Sequence, residues 1–160
     1  MNLNQQEATQ LFELKKFPAK SASVNFPLQG QGIEIELEND SKRIKFQADV
    51  NRRNEIVNKA TYQLRHNKVF SLRRLDLGGS HRNPPAPPPD PIFDPFVDYI
   101  FRFEDHVHFY FEGYGSRWAL PLTEFPEIGI NISDDLFDKM KNFFDYCNIE
   151  GLRINKILEL

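Results

Sequence analysis

Two histidines two residues apart, His106 and His108, stand in a run that alternates between polar and apolar side chains as far as Glu112. In an extended strand successive side chains point to opposite faces, so His106, His108, Tyr110 and Glu112 share one side and Val107, Phe109 and Phe111 the other. The apolar set reads as the core face. That leaves two imidazoles, a phenol and a carboxylate in one row on a face expected to be solvated, with Tyr114 and Arg117 just beyond. Upstream, the stretch Arg73, Arg74, Leu75, Asp76, Leu77, Gly78, Gly79, Ser80, His81, Arg82, Asn83 combines cations, a histidine and two glycines that permit a sharp turn. If the strand ending at Leu77 lies beside 106–112, these groups converge.

Such a set supplies a general base, a general acid and cationic stabilisation for a phosphodiester, which is what metal-independent RNA cleavage through the 2′-hydroxyl requires. Histidine suits both proton transfers because its unperturbed pKa lies near neutrality. The first expectation is therefore a small, nucleic-acid-directed endoribonuclease of the toxin–antitoxin kind. His81, His106, His108 and Glu112 would be catalytic, and Arg73, Arg74, Arg82, Tyr110, Tyr114 and Arg117 would hold substrate. This reading needs no cofactor and no metal. A metal reading competes, because two histidines at i and i+2 can share one ion with His81 or Glu112 as a third ligand. The spacing resembles the first half of the cupin metal motif but lacks the preceding glycine, has Gly113 directly after Glu112, and has no histidine downstream of His108. The plain alternative is the wet side of an ordinary strand.

The elements that must position these residues follow from periodicity. Residues 4–16 carry Ala8, Leu11, Phe12 and Lys15 at helical spacing and end before Pro18. Period-two alternation at 33–37 and 44–50, with a bend at Asn39, Asp40 and Ser41, predicts a hairpin. Further strands are expected at 55–65, 69–77, 97–103, 106–112 and 117–122. Ser133 is the expected N-cap of a last helix through Tyr146, with Leu136, Met140, Phe143 and Phe144 on one face. The expected class is α+β: a mostly antiparallel sheet of six or seven strands with a helix near each end, in one domain over 1–160. Residues 83–95 contain seven prolines and are expected to form an exposed, stiff loop, since proline has no N–H to donate to a central strand.

The net charge of −3 conceals an asymmetry: residues 42–82 hold eleven Lys and Arg against three Asp and Glu. A basic block on an acidic chain suits a polyanion such as RNA, or else it pairs with the acidic flanks. A cognate antitoxin or host protein is a further expected partner; no membrane is. The lone Cys147 forbids an internal disulfide and, with no apolar leader or spanning run, points to a reducing, cytoplasmic setting. Phosphate-binding loop, dinucleotide fingerprint, nucleophile elbow and paired Cys-x-x-Cys are all absent. A non-catalytic interaction protein using the acidic flanks and the proline loop is the alternative from another class.

The blocks Leu75-Asp-Leu-Gly-Gly-Ser-His-Arg-Asn-Pro84, His106-Val-His-Phe-Tyr-Phe-Glu-Gly-Tyr114, Trp118-Ala-Leu-Pro-Leu122 and Phe144-Asp-Tyr-Cys-Asn-Ile149 resemble, in that order, a small bacterial and phage family of unknown function. The resemblance covers roughly the second half of the chain. It implies a setting similar to toxin–antitoxin and phage accessory proteins, and no particular chemistry.

Overall fold

A strand with one apolar face buries it only when neighbours extend the same face, so the alternating segments must meet in one sheet. The computed structural model describes residues 2–56 and 58–158. Its strands are β1 (Phe17–Pro18), β2 (Ser23–Asn25), β3 (Gly32–Glu38), β4 (Lys45–Asn51), β5 (Ala60–His66), β6 (Phe70–Leu77), β7 (His81–Arg82), β8 (Ile100–Phe101), β9 (His106–Phe111), β10 (Gly115–Pro121) and β11 (Arg153–Asn155). Seven of them form an antiparallel sheet in the order β1-β3-β4-β5-β6-β9-β10. With α1 (Gln5–Glu13) and α2 (Leu136–Tyr146) the fold is α+β. No described helix is long and apolar enough to cross a membrane.

One face of this sheet is the core. Val50, Tyr62, Leu64, Leu75, Val107, Trp118 and Leu120 are buried there, and α2 lies against them through Met140, Phe143 and Phe144. Tyr62 donates its hydroxyl to Leu136 O at 2.7 Å, pinning the first turn of α2 to β5. The two helices end together: the buried Lys16 ammonium donates to Phe12 O, Leu14 O and Cys147 O at 2.6–2.8 Å. A cation at two helix C-termini satisfies carbonyls that have no helical partner. Beside it, burial pushes the Cys147 thiol up to about 12, which suits a core residue and not a nucleophile.

Several expected boundaries move. Asp135, not Ser133, caps α2, because its carboxylate accepts from Asp138 N at 2.8 Å. The expected strand 55–65 contains Val57, which lies outside the described residues; the strand observed, β5, begins at Ala60. The expected strand 97–103 shrinks to β8, which leaves the main sheet and pairs with β7. Within 83–95, Phe93 is buried against Phe109, Phe111 and Trp118, so the proline segment is anchored around the β10 edge by one aromatic plug. The three-residue parallel pair β2–β11 has no counterpart among the expected strands.

Candidate metal centre

Register fixes which side chains share the second face. The pairings Glu34↔Asp49, Asp49↔Gln63, Gln63↔Arg74 and Arg74↔His108 run a polar row straight across β3, β4, β5, β6 and β9. Asp76 pairs with His106 one step along the same face. The β7–β8 ribbon folds back over this end of the row. Phe101 stacks on His106 with ring centroids 4.5 Å apart, and His81 lies 5.8 Å from His106 and 4.5 Å from His108. The expected meeting of three imidazoles therefore takes place. The expected solvation of their face does not: His106 and His108 are 0 % and 1 % exposed, because the ribbon roofs them.

Both buried rings have a defined tautomer. His106 Nδ1 lies 2.6 Å from Glu104 O and His108 Nδ1 lies 2.8 Å from Ser116 O. A carbonyl only accepts, so each Nδ1 carries the proton, and a neutral ring then presents a bare Nε2 lone pair. Burial lowers the His108 pKa to about 4, which keeps it neutral near pH 7. Burial opposes the charge on Asp76, yet hydrogen bonding to His106 and His108, which favours the carboxylate when a proton sits on Nε2, and the Arg74 guanidinium beside it hold its carboxyl well below the usual carboxylate range. The two Nε2 atoms lie 3.3 and 3.2 Å from the same Asp76 Oδ2. Two imidazole nitrogens and a carboxylate oxygen thus converge on one point, with ligand atoms within 4.8 Å of one another. Such a convergence becomes favourable when a proton is shared through one Nε2 or when it holds a cation.

Arg74 supplies part of one. Its Nη2 lies 2.9 Å from His108 Nε2 and 3.1 Å from Asp76 Oδ2. His106 Nε2 gets no such donor: it is buried and, among the described residues, has no hydrogen-bond partner. Backbone carbonyls that orient imidazoles through Nδ1 are the usual outer support of histidine metal ligands, and three protein ligands leave positions open for other groups. The site can hold a divalent ion through Asp76, His106 and His108.

His81 stands apart from that set. Its Nε2 donates to Arg117 O at 2.9 Å and to Asn83 Oδ1 at 3.1 Å. Asn83 in turn donates to Ala119 O and accepts from Ala119 N, at 2.8 and 3.0 Å. These two side chains cap the outer backbone of β10, the last strand of the sheet, where a neighbouring strand would otherwise sit. Replacing the buried Asn83 with Leu strands both Ala119 groups and is expected to cost about 2–3 kcal/mol in urea unfolding. A loss below about 0.5 kcal/mol would show that the edge does not depend on it.

The other expected site residues disperse. Arg73 points to the core face, where its guanidinium lies 4.1 Å from the Phe12 ring and 4.7 Å from that of Phe109, and its Nε donates to Tyr146. Arg82 forms an exposed pair with Asp98 at 3.3 Å. Tyr110 is buried and donates to Leu3 O. Glu112 is exposed beyond the end of β9, roughly 13 Å along the strand from His108, and accepts from Gln5 N. Arg117 is exposed with its Nε on Tyr114 O, so these two residues serve the β9–β10 turn. Asp76, which supplies the carboxylate, was absent from the expected set. A cleft of about 750 Å³ between α1 and the strand ends near Ile44 and His66 is lined by none of the clustered residues.

No curated protein and no solved structure matches this chain. The model of one family of unknown function, DUF6978, matches residues 3–149, and the chain belongs to that family.

Proposed function

We propose that this domain is a metal-dependent enzyme whose single divalent ion is held by Asp76, His106 and His108. The observation that carries the reading is the convergence of two imidazole Nε2 atoms and a carboxylate, with His106 Nε2 buried and without a hydrogen-bond partner among the described residues. Two imidazoles and one carboxylate favour zinc or another late first-row ion over magnesium or calcium, which prefer all-oxygen sites. Held by these three side chains, such an ion would supply Lewis-acid chemistry to a bound substrate oxygen. The basic stretch argues less for a polyanion than its count suggests, since Lys45, Arg65, Lys68, Arg74 and Arg82 each pair with an acidic group. A bacterial or phage setting rests on the resemblance of the sequence blocks.

Elemental analysis of untagged protein prepared without chelators tests the centre. The expected result is close to one zinc, manganese, iron or cobalt per chain, with cobalt-loaded protein showing visible ligand-field bands. Protein that holds no metal and gives no cobalt bands ends the proposal. The gathering of His81, His106, His108 and Arg74 favours the proton-transfer endoribonuclease as a second reading. Cleavage of RNA that persists in EDTA would select it.

A further inference from the structure

Arg74 reaches into the convergence point through a single nitrogen. Nη2 makes both contacts, to His108 and to Asp76, while Nε on the same edge of the guanidinium is buried and, among the described residues, has no hydrogen-bond partner. An ion bound to His108 Nε2 takes the very lone pair that Nη2 uses, at about 2.0–2.1 Å for zinc, so metal and guanidinium cannot share it. Loading the centre must therefore release Arg74 from His108. The released edge, Nε–H beside Nη2–H, is the donor fork that matches two oxygens of one anion.

The members of the cluster that reach solvent are the two on β6. The Arg74 and Asp76 side chains are 30 % and 16 % exposed, whereas the two rings are roofed by β7 and β8. An oxyanion entering past Arg74 would meet the open positions of the ion and, once the guanidinium turns from His108, its Nε–Nη2 fork together.

We propose that Arg74 is an oxyanion-binding residue of this centre, so that the substrate carries a phosphate or carboxylate group that bridges the ion and the guanidinium. The inference rests on the metal reading above and adds its substrate class. Metal and anion then bind cooperatively, and by linkage each raises the affinity for the other by the same factor.

The test is zinc affinity of the full chain, measured by competition with a chromophoric chelator at low micromolar protein, with and without inorganic phosphate or acetate. In the wild type one of these anions is expected to tighten zinc binding about tenfold or more, and which one does so tells phosphate from carboxylate. Arg74→Gln removes the competing cation, so zinc without anion should bind at least as tightly, and the anion effect should fall below about twofold. Arg74→Lys keeps the charge and loses the fork; it should lose most of the anion effect, and it carries the test if the Gln variant does not fold. Tight zinc binding that ignores both anions overturns this inference and leaves the metal centre standing. An anion effect of equal size in the wild type and both variants overturns it too. Failure of the wild type to bind zinc at all removes the metal reading instead.

Discussion

Replacing His106 with Ala is expected to weaken zinc binding by at least about a hundredfold while the domain keeps its fold. Loss of a supporting partner alone typically lowers metal affinity ten- to a hundredfold, and loss of a ligand removes more. His106 is the informative choice because its Nε2, 3.3 Å from Asp76 Oδ2, makes no hydrogen bond among the described residues. Removing it leaves a cavity under Phe101 but no stranded charge, so circular dichroism and a cooperative melt should remain. Asp76→Asn should weaken zinc comparably, since the amide cannot supply the anionic oxygen, but it also leaves Arg74 without its counter-charge and should melt earlier. His81→Ala is the control: its ring packs on the ligands without joining them, so zinc affinity should change by only a few-fold. Wild-type zinc affinity in a folded His106→Ala protein would remove this residue from the ligand set. Equal collapse of affinity in His81→Ala would redraw the set around three histidines.

The alternation of apolar and polar residues in β3, β4, β6 and β9 is a local property, and the sheet it implies is the sheet that forms. The shared face of His106 and His108 follows from the same rule. That rule also separates Arg73 from Arg74, since neighbours on a strand point opposite ways; grouping both as phosphate ligands overlooked it. Asp76 was legible on the same grounds, two residues from Arg74 and hence on its face, but a search for cations around phosphate passes over a carboxylate. Burial of the histidine face was not legible. It depends on β7 and β8, each two residues long and joined by a proline-rich excursion, which are too short to carry a period. The basic block shows the same limit. Its counter-charges are Glu36, Glu38, Asp49, Asp76 and Asp98, and only register brings the distant ones into reach.

The same burial makes stability depend on mild acid. His108 has its pKa lowered to about 4, against 6.5 for a free imidazole, with burial as the leading cause. Between those values the unfolded chain takes up a proton that the folded chain refuses. Unfolding then gains protons, so stability falls as the pH drops through that window. For this group alone the loss between pH 7 and pH 5 is about 2 kcal/mol. His81, lowered chiefly by burial, pushes in the same direction. Asp76 acts further down: its folded pKa is depressed, so its stabilisation is present above the ordinary carboxylate pKa and is lost as the pH falls below it. Urea unfolding of metal-free protein at pH 7 and pH 5 reads the difference directly, and His108→Gln should flatten it. Equal stability at the two pH values, or greater stability at pH 5, would mean that His108 takes its proton without unfolding and that its Nε2 is not held as a bare lone pair. Zinc sharpens the contrast, because coordination requires both imidazoles deprotonated, so the stabilisation conferred by metal should shrink as protons compete for the same nitrogens.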